Sequence, residues 1–134
     1  MEKVSKSFLK DSYLITELKL CTIRLIDNSK FPWIILIPKK KKITDIHQLN
    51  KKDQNLLIQE IASTSKVMKK TFNSFNLNVE KIGNVVSQLH IHVIARSKKD
   101  SSWPLSVWVV KKKNYTKIAL EKTIFKIKKA FKVK

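Results

Sequence analysis

Glycine is almost missing from this chain of 134 residues; the single one is Gly83. Cysteine is equally scarce. Cys21 stands alone, so no disulfide can form within the chain, which fits a reducing compartment and a cytoplasmic protein. No apolar run approaches the length of a membrane span: "PWIILIP" is a short strand-like run between prolines. The N-terminal "MEKVSKSFLKDSYLI" lacks the apolar segment of a signal peptide. No repeat and no Pro/Gly/Ser-rich linker divides the chain, and its length suits one domain with one real core. Arginine is nearly absent too, with Arg24 and Arg96 the only two among 29 basic residues.

Lysine is what the chain has in excess. The formal charge is +19, with the densest runs at "PKKKK", "VKKKN" and the C-terminal "KIKKAFKVK". A basic surface attracts phosphate and raises the question of nucleic acid. Specific base and phosphate recognition leans on the arginine fork, which is missing here. Asparagine and isoleucine are plentiful, so the composition agrees with drift towards AT-rich codons. The reading is compositional drift that still steers anionic substrates, and it argues against specific nucleic-acid binding. At 43% hydrophobic residues, the chain is no disordered polycation.

Residues 5 to 12 suggest a short helical lead-in. "LKLCTIRLID" (Leu18 to Asp27) is rich in β-branched and apolar residues and reads as a strand. "DNSKFP" is a turn, and the all-apolar "WIILI" (Trp33 to Ile37) is a central strand covered on both faces, so the two form a hairpin. "TDIHQL" suggests a helical turn. Asn50 caps a long helix, with Asp53 three positions on and a stripe of Leu57, Ile61, Met68, Phe72 and Phe75. A strand follows over about 77 to 82, then a strand from Gln88 to Arg96. A last helix covers about 116 to 131, with Leu120, Ile124, Ile127 and Phe131 on one face. The fold class is α+β: a largely antiparallel sheet of about five strands under one long helix, with a C-terminal helix and a core over about 18 to 108.

The stretch "VVSQLHIHVIARSKKD" carries two of the three histidines. Strand side chains alternate, so Leu89, Ile91, Val93 and Ala95 face the long helix. Gln88, His90, His92, Ile94 and Arg96 face the other way. A half-exposed polar face is the bland explanation, and a Gln-x-His-x-His series in so histidine-poor a chain makes it the weaker one. One functional reading is metal binding, for which a third ligand such as His47, Cys21 or a carboxylate would have to converge. The other is phosphorus chemistry, with a neutral imidazole as nucleophile and a second as hydrogen-bond donor. Gly83 just upstream suits either an ordinary turn or a close backbone approach to phosphate, and Asn84 beside it either a turn or a phosphate donor.

"NVVSQLHIHVIAR" resembles the signature of the histidine-triad (HIT) superfamily of nucleotide hydrolases and transferases, His-φ-His-φ-His-φ-φ with φ apolar. Gln88 occupies the first histidine position, as in a bacterial HIT-like branch that also carries a segment similar to "SSWPLSVW" and a first hairpin similar to "LIDNSKFPWIILIPKK". The resemblance runs from about Leu18 to Trp108. It implies that His90 attacks the α-phosphorus of a nucleotide and that His92 contacts the phosphate and bridging oxygen. Asp27 matches a ribose-binding acid, and Gly83, Asn84 and Ser87 lie where substrate binds. It further implies a homodimer, no cofactor and no catalytic metal, with phosphoramidates, acyl-adenylates or dinucleoside polyphosphates as substrates. Trp33 stands where many members open a strand with histidine, and Val85 where Hint-like members carry serine. The alternative is a nucleotide- or RNA-binding module on the same scaffold with weak or lost catalysis.

Overall fold

Runs of β-branched and aliphatic residues build the frame. The structure, a computed structural model, describes residues 4 to 133. Among these residues five strands form one antiparallel sheet: β1 (Ser12–Glu17), β2 (Cys21–Ile26), β3 (Trp33–Pro38), β4 (Asn76–Glu80) and β5 (Ile91–Arg96), in spatial order β1-β2-β3-β5-β4. The β2–β3 hairpin forms as expected, with Leu25 opposite Ile34. Its turn is held by an Asx contact, Lys30 N donating to Asn28 Oδ1 at 3.1 Å. β3 is buried at every residue, as its unbroken apolar run requires. The polar, half-exposed β4 sits at an edge.

One sheet face packs against α2 (Lys51–Thr71) and α3 (Lys117–Val133). Asn50 caps α2, its Oδ1 accepting from Asp53 N at 2.8 Å. Leu57, Val67 and Met68 meet Ile23, Leu36, Leu89, Ile91, Val93 and Ala95 in the main core, which Ile127 and Phe131 of α3 complete. Two expectations need correction. Phe75 lies beyond the end of α2 and is exposed, because the helix stops at Thr71 and Asn73 takes a left-handed φ of 47°. The histidine strand begins at Ile91, not Gln88, because β3 pairs only as far as Leu36 opposite Ile91.

The opposite face is not half-exposed. A thin layer of chain covers it: α1 (Lys6–Asp11) at one end, and the segment around Val107 to Val110 at the other. Phe8 of α1 packs on Ile35 and Ile37. Val107 packs with Phe31, Trp33 and Ile94. The apolar β3 strand is therefore covered on both faces within the chain. No helix among the described residues is long and apolar enough to cross a membrane.

Candidate active site

The alternation read from the sequence orients the histidines. Leu89, Ile91 and Val93 join the main core under α2, so His90 and His92 project to the face covered by α1. Their rings lie edge to face, 4.8 Å apart, and both are buried. They line a cavity of about 600 Å³ between α1, the 82–86 loop and the 107–112 segment. Its walls are mainly apolar, with Phe8, Trp33 and Trp108 the aromatic contributors. That size and character suit a small molecule.

Hydrogen bonds set the two imidazoles differently. His90 Nδ1 lies 2.7 Å from the Gln88 carbonyl, which only accepts, so Nδ1 carries the proton and Nε2 keeps its lone pair. His92 Nδ1 lies 3.0 Å from Trp33 Nε1, which only donates, so Nδ1 accepts and Nε2 carries the proton. Burial lowers the pKa of His90, the Gln88 hydrogen bond opposes this, and the Lys81 charge adds to the lowering. Burial, followed by the charge of His90, holds His92 down at about 4. Near neutral pH the pair is thus one neutral nitrogen nucleophile beside one neutral N–H donor.

Four of the seven candidate site residues line this cavity, His90, His92, Gly83 and Asn84, as do Trp33 and Val85, two positions that depart from the family pattern. Gly83 has φ 77°, a left-handed conformation that suits glycine. Gln88, Asp27 and Ser87 do not line it. Gln88 is buried behind it, where its Oε1 accepts from Ser5 N at 2.8 Å, at the start of the helix that carries Phe8. Asp27 is buried, with Oδ1 accepting from Tyr115 N at 2.9 Å and Oδ2 lying 3.4 Å from the Tyr13 hydroxyl; its neighbour Asn28 reaches the cavity. Ser87 is exposed. Among the described residues, no three His, Cys, Asp or Glu side chains gather as a metal-ligand set.

Sequence reasoning missed the aromatic partners. Phe8 stands edge-on to His90 at 4.7 Å, and Trp108 meets both His92 and Trp33, at 5.5 and 5.0 Å. The one available signal was the β3 alternation, which puts Trp33 opposite Ile94 and on the face of His92.

Comparison with known proteins places this geometry. Residues 8–99 match the model of the HIT domain. A histidine triad protein from Marinobacter aquaeolei VT8 is 29% identical, with a TM-score of 0.94 over 99% of this chain and 98% of that one. A histidine triad (HIT) protein from Sinorhizobium meliloti 1021 is 30% identical, with a TM-score of 0.92 over 96% of each chain. One from Bradyrhizobium japonicum is 28% identical, with a TM-score of 0.92 over 96% and 97% of the two chains. No curated protein matches the sequence. With a family match over more than two-thirds of its length and His90 and His92 set side by side in a cavity, this chain belongs to the HIT domain family.

Proposed function

We propose that the chain is a nucleotide hydrolase or transferase that works through a covalent nucleotidyl-histidine. The observation that supports this best is the opposed hydrogen bonding of the two imidazoles, which leaves a lone pair on His90 Nε2 and a proton on His92 Nε2 beside one cavity. In the first step His90 Nε2 forms a bond to the α-phosphorus. The bond from phosphorus to the leaving group breaks, and its electron pair goes with that group. The positive charge arising on the His90 ring is stabilised by the Nδ1–H donated to the Gln88 carbonyl. His92 Nε2–H donates to a phosphate oxygen as charge develops there. In the second step a water oxygen forms a bond to phosphorus and loses a proton to solvent, the bond from His90 Nε2 to phosphorus breaks, and its electron pair returns to Nε2.

In this reading Asn84 and the Gly83 backbone face the phosphates, and the apolar wall receives the nucleoside. Asp27 braces the end of β2 through Tyr115, with ribose binding left to the cavity edge near Asn28. Gln88 sets the position of α1 through Ser5 and thereby of Phe8 against His90. Ser87 lies at the rim of the same loop. The protein acts as one cytoplasmic domain and, as the family resemblance suggests, as a homodimer.

Turnover by variants tests the proposal. His90→Ala should lose essentially all activity on nucleotide substrates, because no neighbour replaces a positioned nucleophile. His92→Ala should retain a slow rate, down by about 100-fold, the cost of one donor to the transition state. Full turnover by His90→Ala would remove the mechanism.

A further inference from the structure

The indole of Trp33 has one polar atom, a donor, and it is spent on His92 Nδ1. That contact does more than orient the ring. Protonating His92 at Nδ1 would set an N–H against the indole N–H, so the contact opposes the imidazolium form as well as the other neutral tautomer. The ring is also enclosed: Trp33 and Trp108 stand edge-on to it at 5.7 and 5.5 Å, and it is buried. His92 can therefore give a hydrogen bond through Nε2 but has no spare proton to hand over.

This matters for the leaving group. An amine expelled from phosphorus needs a proton, since an amide anion is too basic to depart. A phosphate or polyphosphate oxygen departs as a stable anion and needs only hydrogen bonds and nearby positive charge. The charges at the cavity do not oppose the second case. Lys112 lines it and pairs with Asp11, the one carboxylate among the described lining residues, at 3.5 Å, while Lys81, whose Nζ would sit 3.6 Å from a Cβ at Gly83, pairs with Asp45 at 2.6 Å, so the lining carboxylate faces a lysine.

We propose that Trp33 is a positioning residue that holds His92 as an uncharged Nε2–H donor, and that the site consequently favours nucleotides whose leaving group departs as an oxyanion over those that release an amine. This rests on the nucleotidyl-histidine reading above. In the step itself the bond from His90 Nε2 to phosphorus forms, the bridging P–O bond breaks, its electron pair stays on the departing oxygen, and His92 keeps its proton.

The test pairs diadenosine tetraphosphate with adenosine 5′-phosphoramidate on the full chain near neutral pH, and reads the histidine tautomers by ¹⁵N NMR. In the wild-type protein the His92 ring should show the Nε2–H tautomer. The anhydride should be turned over at least about 100-fold faster than the phosphoramidate, the size of the missing general-acid assistance. Trp33→Phe should release the tautomer and narrow that preference by about 10-fold, as His92 becomes able to accept a second proton. A His92 that is Nδ1–H or charged in the wild-type protein would overturn the inference, without any need for the variant to fold. So would a phosphoramidate processed as fast as the anhydride, and that result would leave the His90 nucleophile standing. No turnover of either compound would overturn both the inference and the reading beneath it.

Discussion

At the scale of single residues, protonation is the property that matters most. His92 is neutral in the folded protein down to about pH 4, while an unfolded histidine titrates near 6.5. Below about pH 6.5 the unfolded chain binds protons that the folded one refuses, so stability falls as pH drops through this window and levels off near pH 4. The effect amounts to about 3 kcal/mol for His92, and His90, lowered in the same direction, adds to it. Urea midpoints across this range should fall steeply, and His92→Gln should flatten the slope; an unchanged midpoint between about pH 4 and 6.5 would contradict the buried neutral ring. Activity should follow the same sign. The acid limb of the rate lies below the usual histidine value, because His90 stays deprotonated there. Both histidines were legible in the sequence, since alternation along a strand needs only neighbours. Trp33 was not, because it meets His92 across two strands and 59 residues of chain.

At the scale of elements, Arg96 ties the sheet to the segment that completes the cavity. It is the last residue of β5 and almost wholly buried. Its guanidinium makes two bonds to Asp100, at 2.7 and 3.0 Å, and further ones to Asn78, Ser102 and the Leu105 carbonyl. Phe31 and Trp103 flank it at 5.4 and 5.6 Å. This clamp fixes residues 97–105 and thereby the approach to Val107 and Trp108. Arg96→Ala should cost about 3–5 kcal/mol in denaturant unfolding, the penalty for stranding buried partners. Arg96→Lys should recover only part of that, since an ammonium lacks the fork. A loss below about 1 kcal/mol would mean the clamp is dispensable. The sequence marked Arg96 as one of two arginines and as facing away from α2, but not its partners, which come from four separate positions. It also left β1 unread. "SYLITE" buries only two of its six residues, Ser12 and Ile15, so its apolar signal is that of an exposed edge. The long helix, the central hairpin and the C-terminal helix were legible because their patterns repeat over many residues.

At the scale of the whole molecule, 29 basic residues face 10 acidic ones, and most ion pairs among the described residues have at least one exposed partner. Exposed pairs add little stability, so the excess acts mainly through its long-range field. Nucleotide turnover at low substrate should slow as salt rises, through the association rate, while kcat holds steady. RNA and DNA should bind weakly and without sequence preference. A tight, sequence-selective complex at physiological salt would reverse that ranking. The central claim concerns one bond, between His90 and phosphorus, and one measurement addresses it most directly. A phosphohistidine-type adduct is labile in acid and stable in base. Protein mixed with a reactive nucleotide, quenched in base and mapped by peptide mass, should carry one nucleotidyl group on His90 and none in His90→Ala. A protein that turns over nucleotides with no such adduct, or with one on another residue, would contradict the account.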